Sequence, residues 1–143
     1  MTQFPFKDKS ISLLGFSLGT QVIYSCLEEL KAHNAGYLIS NVYFLGGAIN
    51  VHNTETWMNT LSVVNGTVHN FYCEKDYILQ LYRATMFQYP IGLGPILEPE
   101  EELGPDMDEI SESTLKEARK LVNIENHDVT REAHGHIYYR SNL

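Results

Sequence analysis

Three side chains of this sequence could together carry out acyl transfer: a serine, an aspartate and a histidine, in that chain order. Ser17 lies in the pattern Gly-Phe-Ser-Leu-Gly, Asp76 follows an apolar run, and His136 lies close to the last residues. A histidine beside a serine can take its hydroxyl proton, and an acid can orient the imidazole and stabilise its charged form. The sequence therefore offers Ser17 as nucleophile, His136 as general base and Asp76 as the acid that orients it.

The serine lies between a predicted strand and a predicted helix. Residues 11–14 are a short apolar run, and the segment after the serine has apolar residues at helical spacing, at Val22, Ile23, Cys26, Leu27 and Leu30. A G-x-S-x-G pattern in this context is typical of the nucleophile elbow of α/β-hydrolases, and Gly15 and Gly19 are its predicted glycines. The positive end of the helix dipole faces the serine, so the N–H group of Leu18 is the predicted first donor of an oxyanion hole.

Strands and helices alternate along the rest of the chain. Predicted strands cover residues 42–45, 67–73 and 122–129, and predicted helices cover residues 18–33, 57–61, 77–86 and 111–121. Residues 89–110 are rich in proline, glycine and acid, which indicates a loop. Alternation of this kind implies parallel strands with right-handed crossovers. We therefore expect one α/β domain over residues 1–143, a partial α/β-hydrolase with a mostly parallel sheet and helices on both faces, lacking the N-terminal strands that precede the elbow strand.

The acid of the proposed triad has competitors and a second possible function. Asp76 stands directly before a predicted helix, where an aspartate commonly caps the helix N-terminus, and one residue can cap and orient at once. Glu74 is close to the end of its strand, and Asp128 is predicted to lie within one. Both are therefore weaker candidates than Asp76.

The histidine also has competitors, at His127 and His134. The neighbouring Gly135 and two following tyrosines favour His136 as an anchored loop residue. His134 and His136 could face one metal ion from an extended segment, but no third ligand spacing or cysteine cluster accompanies them. We therefore expect no metal site and no cofactor.

Composition limits the partners and the compartment. The 143 residues carry a formal net charge of -8, which argues against nucleic acid as a partner. No apolar run is long enough to cross a bilayer, and no signal-peptide pattern precedes the first strand. Cys26 and Cys73 are predicted to be reduced core residues, so we expect an intracellular protein that is not secreted.

Several blocks of the sequence together resemble the transmembrane and coiled-coil domain-containing protein 4 family, whose members contain a domain of unknown function with an α/β-hydrolase fold. The blocks are Leu13 to Leu30 around the elbow, Asn41 to Ala48, Val64 to Ala84, Gly92 to Pro95, and Gly135 to Tyr138. The resemblance implies a serine-hydrolase-like domain whose triad positions are Ser17, Asp76 and His136. It also implies association with an intracellular or organelle membrane, since family members usually have membrane-embedded helices.

The sequence departs from a complete α/β-hydrolase before the elbow. Only ten residues precede the first predicted strand, whereas the second oxyanion donor of these enzymes follows an earlier strand. We therefore expect a missing N-terminal half or a neighbouring subunit to cover the edge of the elbow strand. Two hypotheses remain: a hydrolase of small esters or lipid esters that is incomplete alone, and a non-catalytic structural or interaction subunit derived from a hydrolase.

Overall fold

The computed structural model describes residues 10–35, 38–50, 54–96, 122–133 and 136. Within them, four strands form one sheet: β1 (Ile11–Phe16), β2 (Ile39–Leu45), β3 (Thr67–Tyr72) and β4 (Asn123–Asp128). The strands lie in the order β1-β2-β3-β4, and every neighbouring pair is parallel. The predicted partial α/β fold is confirmed. The predicted helix over residues 111–121 and the acidic part of the predicted loop lie outside the described residues.

Helices follow the strands as the sequence predicts. They are α1 (Gly19–Ala32) after β1, α2 (Thr54–Leu61) after β2, α3 (Tyr77–Met86) after β3, and the short α4 (Thr130–Ala133) after β4. Each parallel strand therefore ends at the same edge of the sheet and enters the next segment there. The connections that carry Ser17, Asp76 and His136 all leave the sheet at this edge, so the topology brings them to one place.

The main core lies between one face of the sheet and helices α1 and α2. Alternate residues of β2 and β3 point into it, including Val42, Phe44 and Val68, which are almost completely buried. Ile23 and Leu27 of α1 reach the same cluster, together with Trp57 and Met58 of α2. Residues of the strands alternate between the two faces of the sheet, and the buried residues of α1 recur at helical spacing. Because α1 packs on the face of the sheet that contains β1, this packing fixes the orientation of the elbow strand relative to its helix.

The first part of the predicted loop after α3 contains regular structure and buried residues. Residues Ile91–Leu93 form a 3-10 helix, and both Ile91 and Ile96 are buried in the main core. Gly92 packs directly on the end of β2, because a Cβ atom there would lie 2.5 Å from the carbonyl carbon of Gly46. The beginning of the predicted loop is therefore a core element, since its apolar residues anchor it against the ends of β2 and β3.

The two cysteines differ in their surroundings. Both are free thiols; Cys73 is completely buried, but Cys26 is exposed on α1. The prediction of a core position was wrong for Cys26, because the buried face of α1 is formed by Thr20, Ile23 and Leu27.

Candidate active site

The turn that carries Ser17 has the backbone of a nucleophile elbow. Ser17 adopts φ 54°, in the left-handed region that residues other than glycine rarely enter. Its N–H group donates to the Leu45 carbonyl of β2 at 3.0 Å. Its carbonyl oxygen accepts from the N–H groups of Thr20 and Ala48 and, at 2.6 Å, from the Thr20 hydroxyl. These bonds hold the strained conformation, so the serine side chain is fixed relative to the sheet edge.

The two elbow glycines are required to very different degrees. A Cβ atom on Gly15 would lie 2.6 Å from Cδ1 of Ile23 and 3.1 Å from the carbonyl oxygen of Gly19, so a glycine lets α1 pack closely on β1. A Cβ atom on Gly19 would meet no described atom within 4 Å. Of the two predicted elbow glycines, Gly15 is therefore required by close packing, whereas no described neighbour would crowd a Cβ atom on Gly19.

Asp76 stands at the turn between β3 and α3 and is completely buried. It is the N-cap residue of α3, and its Oδ1 accepts from the N–H group of Leu79 at 3.0 Å. Its other oxygen, Oδ2, lies 2.6 Å from Nδ1 of His136. The carboxylate thus begins a helix with one oxygen and contacts the histidine with the other.

His136 connects the aspartate to the serine. Its Nε2 lies 2.7 Å from Oγ of Ser17, and its side chain is only 8% exposed. The ring packs on Phe16 of the elbow strand, with centroids 4.9 Å apart. In the tautomer that carries its proton on Nδ1, the imidazole donates to Asp76 and accepts from the Ser17 hydroxyl. That tautomer leaves Nε2 ready to receive the serine proton.

The competing acids and His127 have other partners. Glu74 is exposed, and its N–H group donates to Oγ1 of Thr130. Asp128 accepts from the hydroxyl and the N–H group of Thr130, and these two bonds, the hydroxyl bond first, lower the pKa of its carboxyl group below 3.8. Nε2 of His127 faces His69 at 3.1 Å. His134 lies outside the described residues.

Leu18 is the N-cap residue of α1, and no side chain caps this helix terminus. The N–H groups of Thr20 and Gln21 donate to the carbonyl oxygens of Ser17 and Leu18. The N–H groups of Leu18 and Gly19 therefore remain as the donors that this end of α1 could offer to an anionic group beside Ser17. The Leu18 N–H group, next to Ser17 at the start of α1, stays a predicted oxyanion donor.

Exposed apolar side chains lie on the two helices that begin beside the proposed triad. Leu18 follows Ser17 and is 61% exposed, and Tyr77 follows Asp76 and is 72% exposed. Val22 of α1 and Ile78 and Leu81 of α3 are also more than half exposed. We call these five residues the apolar rim. They lie at or within two turns of the N-termini of α1 and α3, the helices that follow Ser17 and Asp76.

Thr20 and Ala48 are site residues that the sequence prediction missed. The buried Thr20 hydroxyl donates to the Ser17 carbonyl and accepts from the N–H group of Ala48 at 3.2 Å. Gln21 adds a bond from its amide to the Ala48 carbonyl at 2.8 Å. A threonine directly after the second glycine of the elbow is a visible signal, but its partner after β2 becomes apparent only when the strands are paired.

Comparison with known proteins places the chain in a family. Residues 7–104 match the family described as "Protein of unknown function (DUF726)". The chain belongs to this family. A relative named transmembrane and coiled-coil domain-containing protein STS1, from Oryza sativa subsp. japonica, is 31% identical over 94% of the chain and 17% of its own length. The family predicted from the sequence blocks is confirmed.

Other relatives carry names of two kinds. An uncharacterized membrane protein of Schizosaccharomyces pombe is 33% identical over 94% of the chain and 15% of its own length. The protein named "Probable lipase MIL1" in Saccharomyces cerevisiae is 32% identical over 94% of the chain and 11% of its own length. The chain thus spans less than a fifth of each of these relatives. No solved structure matches it. None of the helices in the described residues combines the length and apolar character needed to cross a membrane.

Proposed function

We propose that this chain carries the triad half of a serine hydrolase that cleaves carboxylic esters. One observation carries the proposal: the His136 ring connects the other two side chains. Its Nδ1 lies 2.6 Å from Oδ2 of Asp76, and its Nε2 lies 2.7 Å from Oγ of Ser17. Ser17 has a left-handed backbone conformation and lies just before the N-terminus of α1. A completely buried carboxylate beside a buried imidazole is the arrangement that activates a serine for acyl transfer.

The reaction would proceed in two halves. Oγ of Ser17 attacks the ester carbonyl carbon while His136 takes the hydroxyl proton on Nε2, and Asp76 stabilises the imidazolium through Nδ1. His136 then gives that proton to the departing alkoxide, which leaves as the alcohol. The acyl group stays on Ser17 as an acyl-serine. A water molecule, deprotonated by the same nitrogen, attacks the acyl-serine. The acid is released, and the proton returns to Ser17.

The negative oxygen of each tetrahedral intermediate needs hydrogen-bond donors. We assign the first to the N–H group of Leu18. In α/β-hydrolases the second donor comes from a loop that precedes the elbow strand. Here we assign it to a segment outside the described residues or to a neighbouring subunit. Within the described residues β1 pairs with β2 alone, so its other edge offers the place for that partner.

The apolar rim favours a substrate with an apolar acyl chain, because its five exposed side chains lie near the N-termini of the two helices that follow Ser17 and Asp76. The relative named a probable lipase and the relatives named as membrane proteins point in the same direction. We therefore assign lipid esters in or near an intracellular membrane as the substrate class.

A fluorophosphonate probe, which reacts with activated serines, tests this proposal. The unmodified chain, Ser17→Ala and His136→Ala are labelled both as pure proteins and after expression in cells of the source organism. Ser25→Ala and His33→Ala serve as matched controls, since both residues are exposed on or next to α1. Circular dichroism establishes that each variant is folded.

We expect labelling that is lost in both triad variants and kept in both controls. Labelling only in cells would support the triad together with a partner that completes the oxyanion hole. A folded chain that stays unlabelled in both settings would overturn the hydrolase assignment and leave the non-catalytic subunit as the better explanation.

A further inference from the structure

A second cluster of chemically active side chains lies on β3 and β4. His69 of β3 and Glu125 and His127 of β4 each direct one potential ligand atom to a common point, and these atoms all lie within 4.8 Å of one another. In the hydrogen bonds described above, none of these three residues contacts Ser17, Asp76 or His136. We call these three residues the His-Glu-His cluster.

The alternation of the strands explains why the three side chains meet. Glu125 and His127 are two residues apart on β4, so they share one face of the sheet, and Glu125 is paired directly with His69 across the strands. Asn126, between them, points to the opposite face, where its Oδ1 accepts from the N–H group of Ile96 at 2.8 Å.

The two imidazole rings are held in place by aromatic neighbours. The ring of His69 is stacked on Tyr43 with an interplanar angle of 3°, and the ring of His127 is stacked on Phe71 with centroids 4.4 Å apart. Stacking limits the rotation of each ring, so the nitrogen atoms keep their directions. A site of this kind loses little conformational entropy when a ligand binds.

The distances among the ligand atoms fit a tetrahedral ion. Nδ1 of His69 lies 3.1 Å from Nε2 of His127 and 3.4 Å from Oε2 of Glu125, and the latter two atoms are 3.7 Å apart. An ion about 2.1 Å from tetrahedral nitrogen and oxygen donors keeps any two of them about 3.4 Å apart. The three separations bracket this value, so the ion could enter without displacing the strands.

The chemistry of the donors selects the ion. Two imidazoles and one carboxylate form a ligand set that suits Zn²⁺, whereas Mg²⁺ and Ca²⁺ prefer oxygen donors. The side chains of His69, His127 and Glu125 are 19%, 36% and 54% exposed, which gives an ion access from solvent and leaves room for a water molecule as fourth ligand.

We propose that the His-Glu-His cluster is a binding site for a divalent transition-metal ion, and that Zn²⁺ is the ion it prefers. The ion would join β3 to β4, the last strand in the sheet order, and so fix the strand that leads to His136. The site and the triad are separate, and the metal proposal stands whether or not Ser17 is active.

Binding of Co²⁺ is the first test, because tetrahedral Co²⁺ with nitrogen ligands gives visible absorption bands that octahedral aqueous Co²⁺ lacks. The tag-free full chain is titrated with Co²⁺, and Zn²⁺ is then added to displace it. The variants are His69→Ala, Glu125→Gln and His127→Ala. His33→Ala is the matched control, because His33 and Glu29 also form a histidine–carboxylate pair, 3.6 Å apart, on the surface of α1.

We expect one Co²⁺ per chain with tetrahedral bands, displacement by one equivalent of Zn²⁺, and a rise of the Tm with Zn²⁺. Each cluster variant should weaken binding at least about tenfold, while His33→Ala should not change it. The proposal is overturned if the folded chain gives no tetrahedral bands at micromolar Co²⁺, or if binding survives in all three cluster variants. Binding that is lost only in His136→Ala would overturn it equally.

Discussion

Oδ2 of Asp76 lies 2.6 Å from Nδ1 of His136, although 60 residues separate the two along the chain. The other oxygen of the same carboxylate accepts from the N–H group of Leu79 at 3.0 Å and so begins α3. Because Asp76 is completely buried, no water can replace either partner without structural change. The helix-capping function and the imidazole-orienting function can therefore be separated by substitution.

Asp76→Asn should keep the helix and lose the activated serine. Asparagine caps helices as well as aspartate does, so the free energy of unfolding in urea should change little. The amide NH₂ group would face Nδ1 of His136 and move the imidazole proton to Nε2, where it blocks acceptance from Ser17. We expect the rate of fluorophosphonate labelling to fall on the order of 10⁴-fold, as in triads of this type.

Asp76→Ala is the matched comparison. It should lose labelling to a similar extent and, in addition, about 1 kcal/mol of stability for the missing cap. Equal labelling of Asp76→Asn and the unmodified chain would contradict the role of the carboxylate in orienting His136.

The elbow glycines should respond differently to alanine. Gly15→Ala places a methyl group 2.6 Å from Cδ1 of Ile23, which forces α1 away from β1, whereas Gly19→Ala enters free space. We expect Gly15→Ala to lower the free energy of unfolding by about 1–3 kcal/mol, because overpacking strains a buried interface. Gly19→Ala should be neutral or slightly stabilising, because alanine is the better helix former. Urea denaturation of both variants measures the difference, and equal losses would contradict the asymmetry.

Local sequence patterns predicted the described elements of the fold well. The run of apolar residues before Ser17, the spacing of Ile23 and Leu27, and the aspartate before Tyr77 each act through neighbours within one or two turns. Such short-range signals predict strands, helices and caps directly. The parallel sheet followed because alternating strands and helices allow few other arrangements.

Contacts between distant segments could not be read from the sequence in the same way. His69 and His127 are 58 residues apart, and their proximity depends on the register of β3 against β4. The sequence prediction considered only His134 and His136, which are two residues apart, as metal ligands. It therefore missed the His-Glu-His cluster. The burial of Ile91 likewise depends on where the end of β2 lies. Pairing register is a tertiary property, because it depends on which faces of two distant strands are buried together, and the local pattern of one strand does not show its partner.

Thr20 should position the elbow without taking part in the reaction. Its buried hydroxyl donates to the Ser17 carbonyl at 2.6 Å and accepts from the Ala48 N–H group. Thr20→Val keeps the shape but removes both bonds, so we expect a loss of about 1–3 kcal/mol and slower labelling of Ser17. Thr20→Ser keeps the hydroxyl and should restore the labelling rate. A Thr20→Val variant that labels at the normal rate would show that the elbow holds its conformation without this side chain.

Asp128 should titrate below the ordinary range of an aspartate, and Thr130 is the cause. The hydroxyl of Thr130 donates to Asp128 at 2.6 Å and its N–H group at 3.0 Å, and both bonds favour the ionised carboxyl group. A lowered pKa in the folded state means that the bonds stabilise the protein above pH 3.8 and lose this effect as the pH falls through the folded value. An NMR titration of the Asp128 carboxyl group should therefore give a pKa below 3.8 in the unmodified chain and a higher value in Thr130→Val. Thr130→Ser keeps the hydroxyl and should leave the pKa low. Because Asp128 is exposed, the accompanying change in stability should be small, and an unchanged pKa in Thr130→Val would assign the shift to the backbone bond alone.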